Sequence, residues 1–321
     1  MNLFNYTIIL PSIIISSLMT TMLSNLMSIW FIMEISNFMF ISYLISSTKQ
    51  KKMIFLYFLI QILASIMILY SMIINPIQLI FINQSMMMMS LFMKSGIPPL
   101  HLWMPLVSKF ISWTSIFLML SIQKIPPLMF FFLINIKEEM FMFMMIMTML
   151  VPPMSMLNLN SMKMLIVYSS INQTGWIIML IFLKHLLWFI YFMIYSMILL
   201  LISLLFEFTS LSKKFFMYTF KKLNTSFTVI IMNLASMPPF SFFMMKWFST
   251  FMVILNSNLK FLIILLLFNS LLMTFIYIKM IMWSLFLNKF NSKMIMHKSY
   301  LNFNKSLFMI VSSILPIIMM L

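Results

Sequence analysis

Apolar runs of about 20 residues recur along the whole chain, and each is long enough to cross a bilayer as an α-helix. The chain is 64% hydrophobic and 7% charged, whereas about a quarter of the residues in a soluble domain are charged. The sequence therefore predicts an all-α polytopic membrane protein, one transmembrane domain over residues 1–321. It predicts about eleven helices, at 3–23, 26–45, 53–74, 79–107, 112–134, 139–157, 161–183, 186–209, 224–252, 259–283 and 304–321.

Lysine placement predicts the orientation of these helices, because basic residues concentrate in loops on one side of a membrane. The N-terminal run has no basic region before it, so we expect a retained first helix rather than a cleaved signal. With the N-terminus on the positive side, the opposite side receives only Lys137, Lys184 and Lys260. The positive side receives Lys49, Lys51, Lys52, Lys109, Lys163, Lys213, Lys214, Lys221, Lys222, Lys289, Lys293, Lys298 and Lys305.

The composition excludes several classes of chemistry. Cysteine is absent, which excludes disulfides, cysteine-ligated iron–sulfur clusters and thiol catalysis. The net charge of +16 does not indicate nucleic-acid binding, because every basic residue is lysine and base recognition depends largely on arginine. The chain has two glycines and therefore no glycine-rich phosphate loop. We expect no cofactor, no metal and no nucleic acid on this chain.

Two long apolar runs carry a Pro-Pro pair in the middle and a lysine nearby. The fourth run has Lys94 before Pro98-Pro99, and the ninth has Lys246 after Pro238-Pro239. Irregular backbone at membrane depth is tolerated only inside protein or beside a wet cavity. A pair of interrupted helices in separate parts of a chain indicates inverted repeats around a site near the midplane. Further breaks are predicted at Pro126-Pro127 and Pro152-Pro153.

Four ionisable residues lie deep in predicted helices: Glu34, Lys94, Lys124 and Lys246. If residues 79–107 form one continuous helix, Lys94 lies about 20 Å from either end, too far to reach the interface. A lone charge at this depth costs several kcal/mol, but an acid and a base offset each other when they pair. We predict that Glu34 pairs with Lys94 and that the four residues form a proton relay; the alternative is a set of structural ion pairs between helices.

Two polar residues in the same runs have open roles. His101, just past Pro99, either relays protons between Lys94 and Lys124 or donates to a carbonyl that the prolines leave free. Gln61, in YFLIQILAS, is expected to join helices by hydrogen bonding.

Six segments in this order, WFIMEISNF, YFLIQILAS, KSGIPPLHLWMP, IQKIPPL, YSSINQTGW and SMPPFSFFMMKW, resemble the family of NADH dehydrogenase subunit 2 of animal, and particularly arthropod, mitochondrial complex I. The resemblance implies an antiporter-like fold of two inverted five-helix repeats. It also implies proton translocation coupled to electron transfer from NADH to ubiquinone. NAD, FMN, iron–sulfur clusters and ubiquinone would then belong to other subunits. The implied location is the mitochondrial inner membrane, with the N-terminus in the matrix. The implied partners are membrane-arm and accessory subunits, and lipids such as cardiolipin.

The segments depart from the family pattern at four positions. Gln173 stands where the family has histidine, so a relay there would lack a titratable group. Ser236 and Phe242 stand where glycines are expected, and Met245 stands where proline is expected. We expect the phenylalanine to widen or reshape the second break.

Two other functions remain open from the residues. A free-standing cation/proton exchanger would also use broken helices, although cation sites prefer oxygen ligands and this chain has a single deep acid. A mainly structural subunit would use the buried charges to hold an assembly together.

Overall fold

The computed structural model describes residues 5–48, 50–73, 80–134, 138–159, 161–208, 225–255 and 260–291. They belong to two compact units: the first comprises Met1–Pro152 and Lys163–Trp188, and the second Pro153–Met162 and Phe189–Leu321. Within the described ranges the regular structure is helical. The proposal of one domain over residues 1–321 stays a prediction.

Thirteen α-helices are present in the described ranges. They are α1 (Leu10–Met19), α2 (Leu26–Ser47), α3 (Lys51–Ile73), α4 (Ile80–Ser95), α5 (Trp103–Ser108), α6 (Trp113–Leu120), α7 (Ile125–Leu133), α8 (Glu138–Met156), α9 (Met162–Phe182), α10 (Leu187–Phe208), α11 (Thr225–Leu234), α12 (Ser241–Leu255) and α13 (Lys260–Asn291). Short 3₁₀ turns follow α1 and α6.

Seven helical stretches of the described residues are long and apolar enough to cross a membrane. The chain is therefore a multi-pass membrane protein. The first predicted run forms a shorter apolar helix at Thr7–Met22, and the fourth and ninth runs are each divided in two. The run at 304–321 lies outside the described residues, so the count of eleven stays a prediction.

The first break, residues 96–102, is made by a glycine-capped helix end. Gly96 has φ +67°, and the N–H of Ile97 donates to the carbonyl of Phe92 at 3.0 Å. This is the six-to-one hydrogen bond of a Schellman motif, which places a left-handed residue just after the helix. The prediction of Lys94 in mid-helix is thus wrong, because α4 ends at Ser95 and Lys94 lies in its last turn.

The second break, residues 235–240, has the same cap. The N–H of Ser236 donates to Asn233 O at 2.9 Å, and that of Met237 donates to Met232 O at 3.3 Å. Here the left-handed position, with φ +55°, is occupied by Ser236 rather than by glycine. Both breaks therefore end a helix in one way, and each cap is followed by a Pro-Pro pair.

The other two Pro-Pro pairs behave differently from each other. The fifth run is interrupted at Ser121–Lys124, and Pro126 and Pro127 lie in the first turn of α7. Proline is favourable there, because the N–H groups of the first turn have no hydrogen-bond partner within the helix. The predicted break at Pro152-Pro153 is wrong, because α8 continues through both residues to Met156. Membrane helices accommodate proline where neighbouring groups satisfy the freed carbonyls.

Helix α9 forms the core of the first unit. Every residue from Leu165 to Ile181 is buried, as expected for a helix surrounded by others on all faces. Gly175 brings α8 close: a Cβ on this residue would lie 2.8 Å from Thr148 Oγ1 and 2.8 Å from Met149 Cε. Several polar residues are buried along α9: Ser169, Ser170, Asn172, Gln173 and Thr174.

Candidate functional site

Glu34 and Lys94 form the predicted ion pair. Lys94 Nζ lies 2.6 Å from Glu34 Oε1, and the Lys94 side chain is almost fully buried while that of Glu34 is 16% exposed. Helix α2 supplies the carboxylate, and the last turn of α4 supplies the ammonium. The free carbonyls at a helix C-terminus also favour a cation, so both surroundings stabilise the charged lysine.

Lys124 is buried, and no carboxylate of the described residues forms an ion pair with it. It is the last residue of the 3₁₀ turn between α6 and α7, its exposed fraction is 2%, and its Nζ donates to Ser170 Oγ of α9 at 3.4 Å. The sequence reasoning missed Ser170. The available signal was the run of polar residues in YSSINQTGW, in the middle of a predicted span.

A small cavity connects Lys94 with Lys124. Both lysines line it, and the space free to a water-sized sphere is about 10 Å³, roughly what one water molecule needs. Its other polar lining residues are Ser36, Asn37, Tyr57, Gln61 and Gln123. The lining thus offers the several polar partners that an ordered buried water requires.

Two amide side chains in this lining differ in their hydrogen bonding. Gln123 Nε2 donates to the backbone oxygen of Ser36 at 3.1 Å, which ties the start of α7 to α2. Asn37 is 7% exposed, and its Nδ2 has no hydrogen-bond partner among the described residues. An unsatisfied buried donor is costly, so a cavity water beside Asn37 would remove that cost.

His101 is buried in the first break but does not line the cavity between the lysines. Its ring lies edge-on to Tyr168, with the centroids 5.9 Å apart. The carbonyl of Met93, at the end of α4, accepts a hydrogen bond from Trp103 Nε1 at 3.0 Å, and His101 has a backbone hydrogen bond to Pro99, as the alternative to a relay predicts. The relay role of His101 stays a prediction.

Lys246 lies in the second unit, in α12. Its exposed fraction is 6%, and its Nζ donates to Ser236 Oγ at 2.9 Å. Asn233 Oδ1 accepts from the N–H of Phe242 at 3.3 Å and from Ser241 Oγ at 3.3 Å. The end of α11 and the start of α12 are therefore joined by side chains across the second break.

The positions that depart from the family pattern are all buried. Gln173 is fully buried in α9, and Met245 is 2% exposed. Phe242 is also fully buried, and its ring centroid lies 5.7 Å from that of Tyr191 and 6.4 Å from that of Tyr195. The expectation that Phe242 widens or reshapes the second break stays a prediction.

Metal-binding geometry is absent from the part of the chain that the structure describes: no three His, Cys, Asp or Glu side chains there lie close enough to hold an ion. Among known families, the one described as NADH:quinone oxidoreductase/Mrp antiporter, transmembrane, matches residues 75–274. The chain belongs to this family. The matched residues include Lys94, Lys124 and Lys246, whereas Glu34 lies before them.

Individual proteins agree with this assignment. NADH-ubiquinone oxidoreductase chain 2 of Anopheles gambiae is 29% identical over 254 residues, which is 75% of this chain and 74% of the mosquito protein. The protein of the same name from Locusta migratoria is 30% identical over 226 residues, covering 67% of this chain and 66% of the locust protein. The resemblance seen in the sequence segments is thereby confirmed.

A solved structure supports the family fold. A chain of respiratory complex I from Thermus thermophilus superposes with a TM-score of 0.70 at 17% identity, over 81% of this chain. This chain spans 65% of the length of that bacterial chain. The prediction of an antiporter-like helical fold is confirmed.

Proposed function

We propose that this chain is a core membrane-arm subunit of the proton-translocating NADH:ubiquinone oxidoreductase of the mitochondrial inner membrane. Its part in the reaction is to move protons, or the electrostatic signal that drives them, through buried charges. The redox groups belong to other subunits. The observation that carries this proposal is the polar cavity shared by Lys94 and Lys124. Lys94 is paired with Glu34, whereas Lys124 has no ion pair with a carboxylate in the part of the chain that the structure describes.

The geometry suggests how the relay begins. While Glu34 is paired with Lys94, the carboxylate balances the charge of the ammonium, and Lys94 keeps its proton. When the pair opens, Lys94 Nζ is free to turn to the cavity that it already lines. A water there, held by groups such as Asn37 and Gln61, carries the proton toward Lys124. Ser170 Oγ then stabilises the newly charged Lys124 by accepting a hydrogen bond.

Contacts at one end of the first unit support the proposed orientation. Lys163 Nζ donates to the backbone oxygen of Ile111, two residues after the exposed Lys109. Tyr43 OH and Thr114 Oγ1, 3.0 Å apart, join the last turns of α2 to the start of α6. These segments all carry or adjoin lysines that are assigned to the positive side. In a mitochondrion the positive side is the matrix, and we place the N-terminus there.

The partners follow from the same proposal. Membrane-arm and accessory subunits would contact this chain, and lipids, cardiolipin among them, would cover its apolar faces. Exposed apolar side chains are frequent on the spanning helices, for example Phe31 and Ile66, as expected for surfaces that face lipid or neighbouring helices.

Replacement of Lys124 by alanine tests the proposal. In complex I assembled with the Lys124→Ala chain, we expect fewer protons translocated per NADH oxidised, because the cavity then lacks the lysine that receives the proton from Lys94. The matched control is Lys109→Ala, which removes an exposed lysine and is expected to leave the ratio unchanged. An unchanged ratio in the assembled Lys124→Ala complex rules out the assigned role.

A second candidate, cation/proton exchange by the isolated chain, is favoured by the family description, which includes Mrp antiporters. Reconstitution of the purified chain into vesicles distinguishes the two. Sodium-dependent proton movement by the chain alone supports exchange, whereas its absence, together with the Lys124→Ala effect in the complex, supports the subunit role.

A further inference from the structure

Ser236 occupies a backbone position that ordinarily belongs to glycine. Its φ of +55° lies in the left-handed region, which side chains with a Cβ disfavour. In a Schellman cap this position is usually glycine, and Gly96 takes it at the first break. At the second break a residue with a side chain therefore adopts an unfavourable backbone conformation.

The hydroxyl of Ser236 bridges a lysine and a helix end. It accepts a hydrogen bond from Lys246 Nζ at 2.9 Å and donates one to the carbonyl of Ala235 at 2.7 Å. Ser236 is 7% exposed and Lys246 is 6% exposed, so bulk water does not provide these bonds. Glycine at this position would remove the bridge.

Two other buried serines of the second unit bond to carbonyls of their own helices. Ser203 Oγ donates to Leu200 O at 2.8 Å, and Ser249 Oγ donates to Lys246 O at 2.7 Å, each within its own helix. Ser236, which lies in the break just after α11, instead contacts Lys246 of α12, ten residues further along the chain. The bond thus restrains the ammonium relative to the end of α11.

We propose that Ser236 is a positioning residue for Lys246: its hydroxyl holds the ammonium at the second break. The inference rests on the proposed function and on the prediction that Lys246 belongs to the proton relay. It concerns where the Lys246 side chain is held, not which residues change protonation.

Two substitutions with opposite effects on the backbone test it. Ser236→Gly removes the hydroxyl and relieves the left-handed strain, whereas Ser236→Ala removes the hydroxyl and keeps that strain. In assembled complex I we expect both variants to lose part of the proton translocation per NADH oxidised that Lys246→Ala loses. If only the backbone mattered, Ser236→Gly would translocate normally and Ser236→Ala alone would be impaired, and that result would overturn the proposal.

Rescue and control variants complete the experiment. Asparagine tolerates the left-handed region and offers a carbonyl oxygen, so Ser236→Asn is expected to recover part of the translocation. Ser203→Ala, which removes a buried hydroxyl elsewhere in the unit, is expected to behave as the unaltered chain. Normal translocation by Lys246→Ala would overturn the predicted relay role of Lys246 and this inference with it, whereas the proposed function itself is tested by Lys124→Ala. Loss by Lys246→Ala with normal translocation by both Ser236→Gly and Ser236→Ala would overturn this inference alone.

Discussion

A buried ammonium needs compensation, and three lysines obtain it in different ways. Lys94 has a carboxylate and a helix C-terminus, Lys124 has a serine hydroxyl and a polar cavity, and Lys246 has a hydroxyl at a helix break. Desolvation of a charge is expensive, and only a well-placed partner offsets it. The partners differ in strength, so the three sites are suited to holding a proton under different conditions.

The ion pair gives a prediction at this scale. Lys94→Met leaves Glu34 without its cation, and removing one partner of a buried pair costs roughly 3–5 kcal/mol; because Glu34 is 16% exposed, we expect the lower end. The amount of assembled complex on native gels should fall. The double variant Glu34→Leu with Lys94→Met replaces the pair by apolar groups, which is often neutral, and should recover assembly.

The same double variant separates a relay from a structural role. If the pair takes part in coupling, the recovered complex still translocates fewer protons per NADH oxidised. If the charges only hold the subunit together, recovered assembly brings normal translocation. The ratio measured on the double variant thus decides between the two.

At the scale of elements, helix ends and close helix contacts determine where the charges lie. The Schellman caps at Gly96 and Ser236 end α4 and α11 inside the protein. Lys94 therefore lies in the last turn of α4, and the ammonium of Lys246 contacts the cap that follows α11. Helix α9 is kept near α8 by the absence of a side chain at Gly175. Since α9 also carries Ser170, its position sets the surroundings of Lys124.

Gly175→Ala tests this helix contact. The added methyl would meet Thr148 Oγ1 at 2.8 Å and Thr148 Cβ at 3.1 Å, so either the Thr148 side chain or the spacing of α8 and α9 must change. Overpacking of this kind costs about 1–3 kcal/mol, and the temperature at which the complex loses activity should fall. Thr148→Ala in the same chain removes the hydroxyl and is expected to recover part of the loss; a Gly175→Ala complex as heat-stable as the unaltered one would contradict the packing argument.

At the scale of the molecule, the polar cavity between Lys94 and Lys124 lies in a chain that is otherwise almost uniformly apolar. The cavity in the first unit is small, and its polar side chains come from α2, α3, α4 and the segment between α6 and α7. No single helix contains the cavity. Proton transfer through it depends on water that several elements hold together.

Gln61→Leu tests whether the cavity conducts. The change preserves approximate size but removes a polar partner from the lining, so an ordered water is held less well. We expect assembly to be retained and proton translocation per NADH oxidised to fall. Gln50→Leu, at an exposed position, is the matched control. Equal ratios for the two variants would show that Gln61 only joins helices.

Sequence reasoning determined what depends on local chemistry: the membrane-spanning class, the deep charges, and the two breaks beside Pro98-Pro99 and Pro238-Pro239. It placed Lys94 wrongly along its helix, because the glycine cap ends α4 before the prolines, and it misread Pro152-Pro153. The sequence also predicted the Glu34–Lys94 pair, because Glu34 is the single deep acid. Only the tertiary structure decided the partners of Lys124 and Lys246; Ser170, for example, lies 46 residues from Lys124. Such contacts depend on how helices pack, and apolar patterns nearly uniform around each helix do not specify which faces meet.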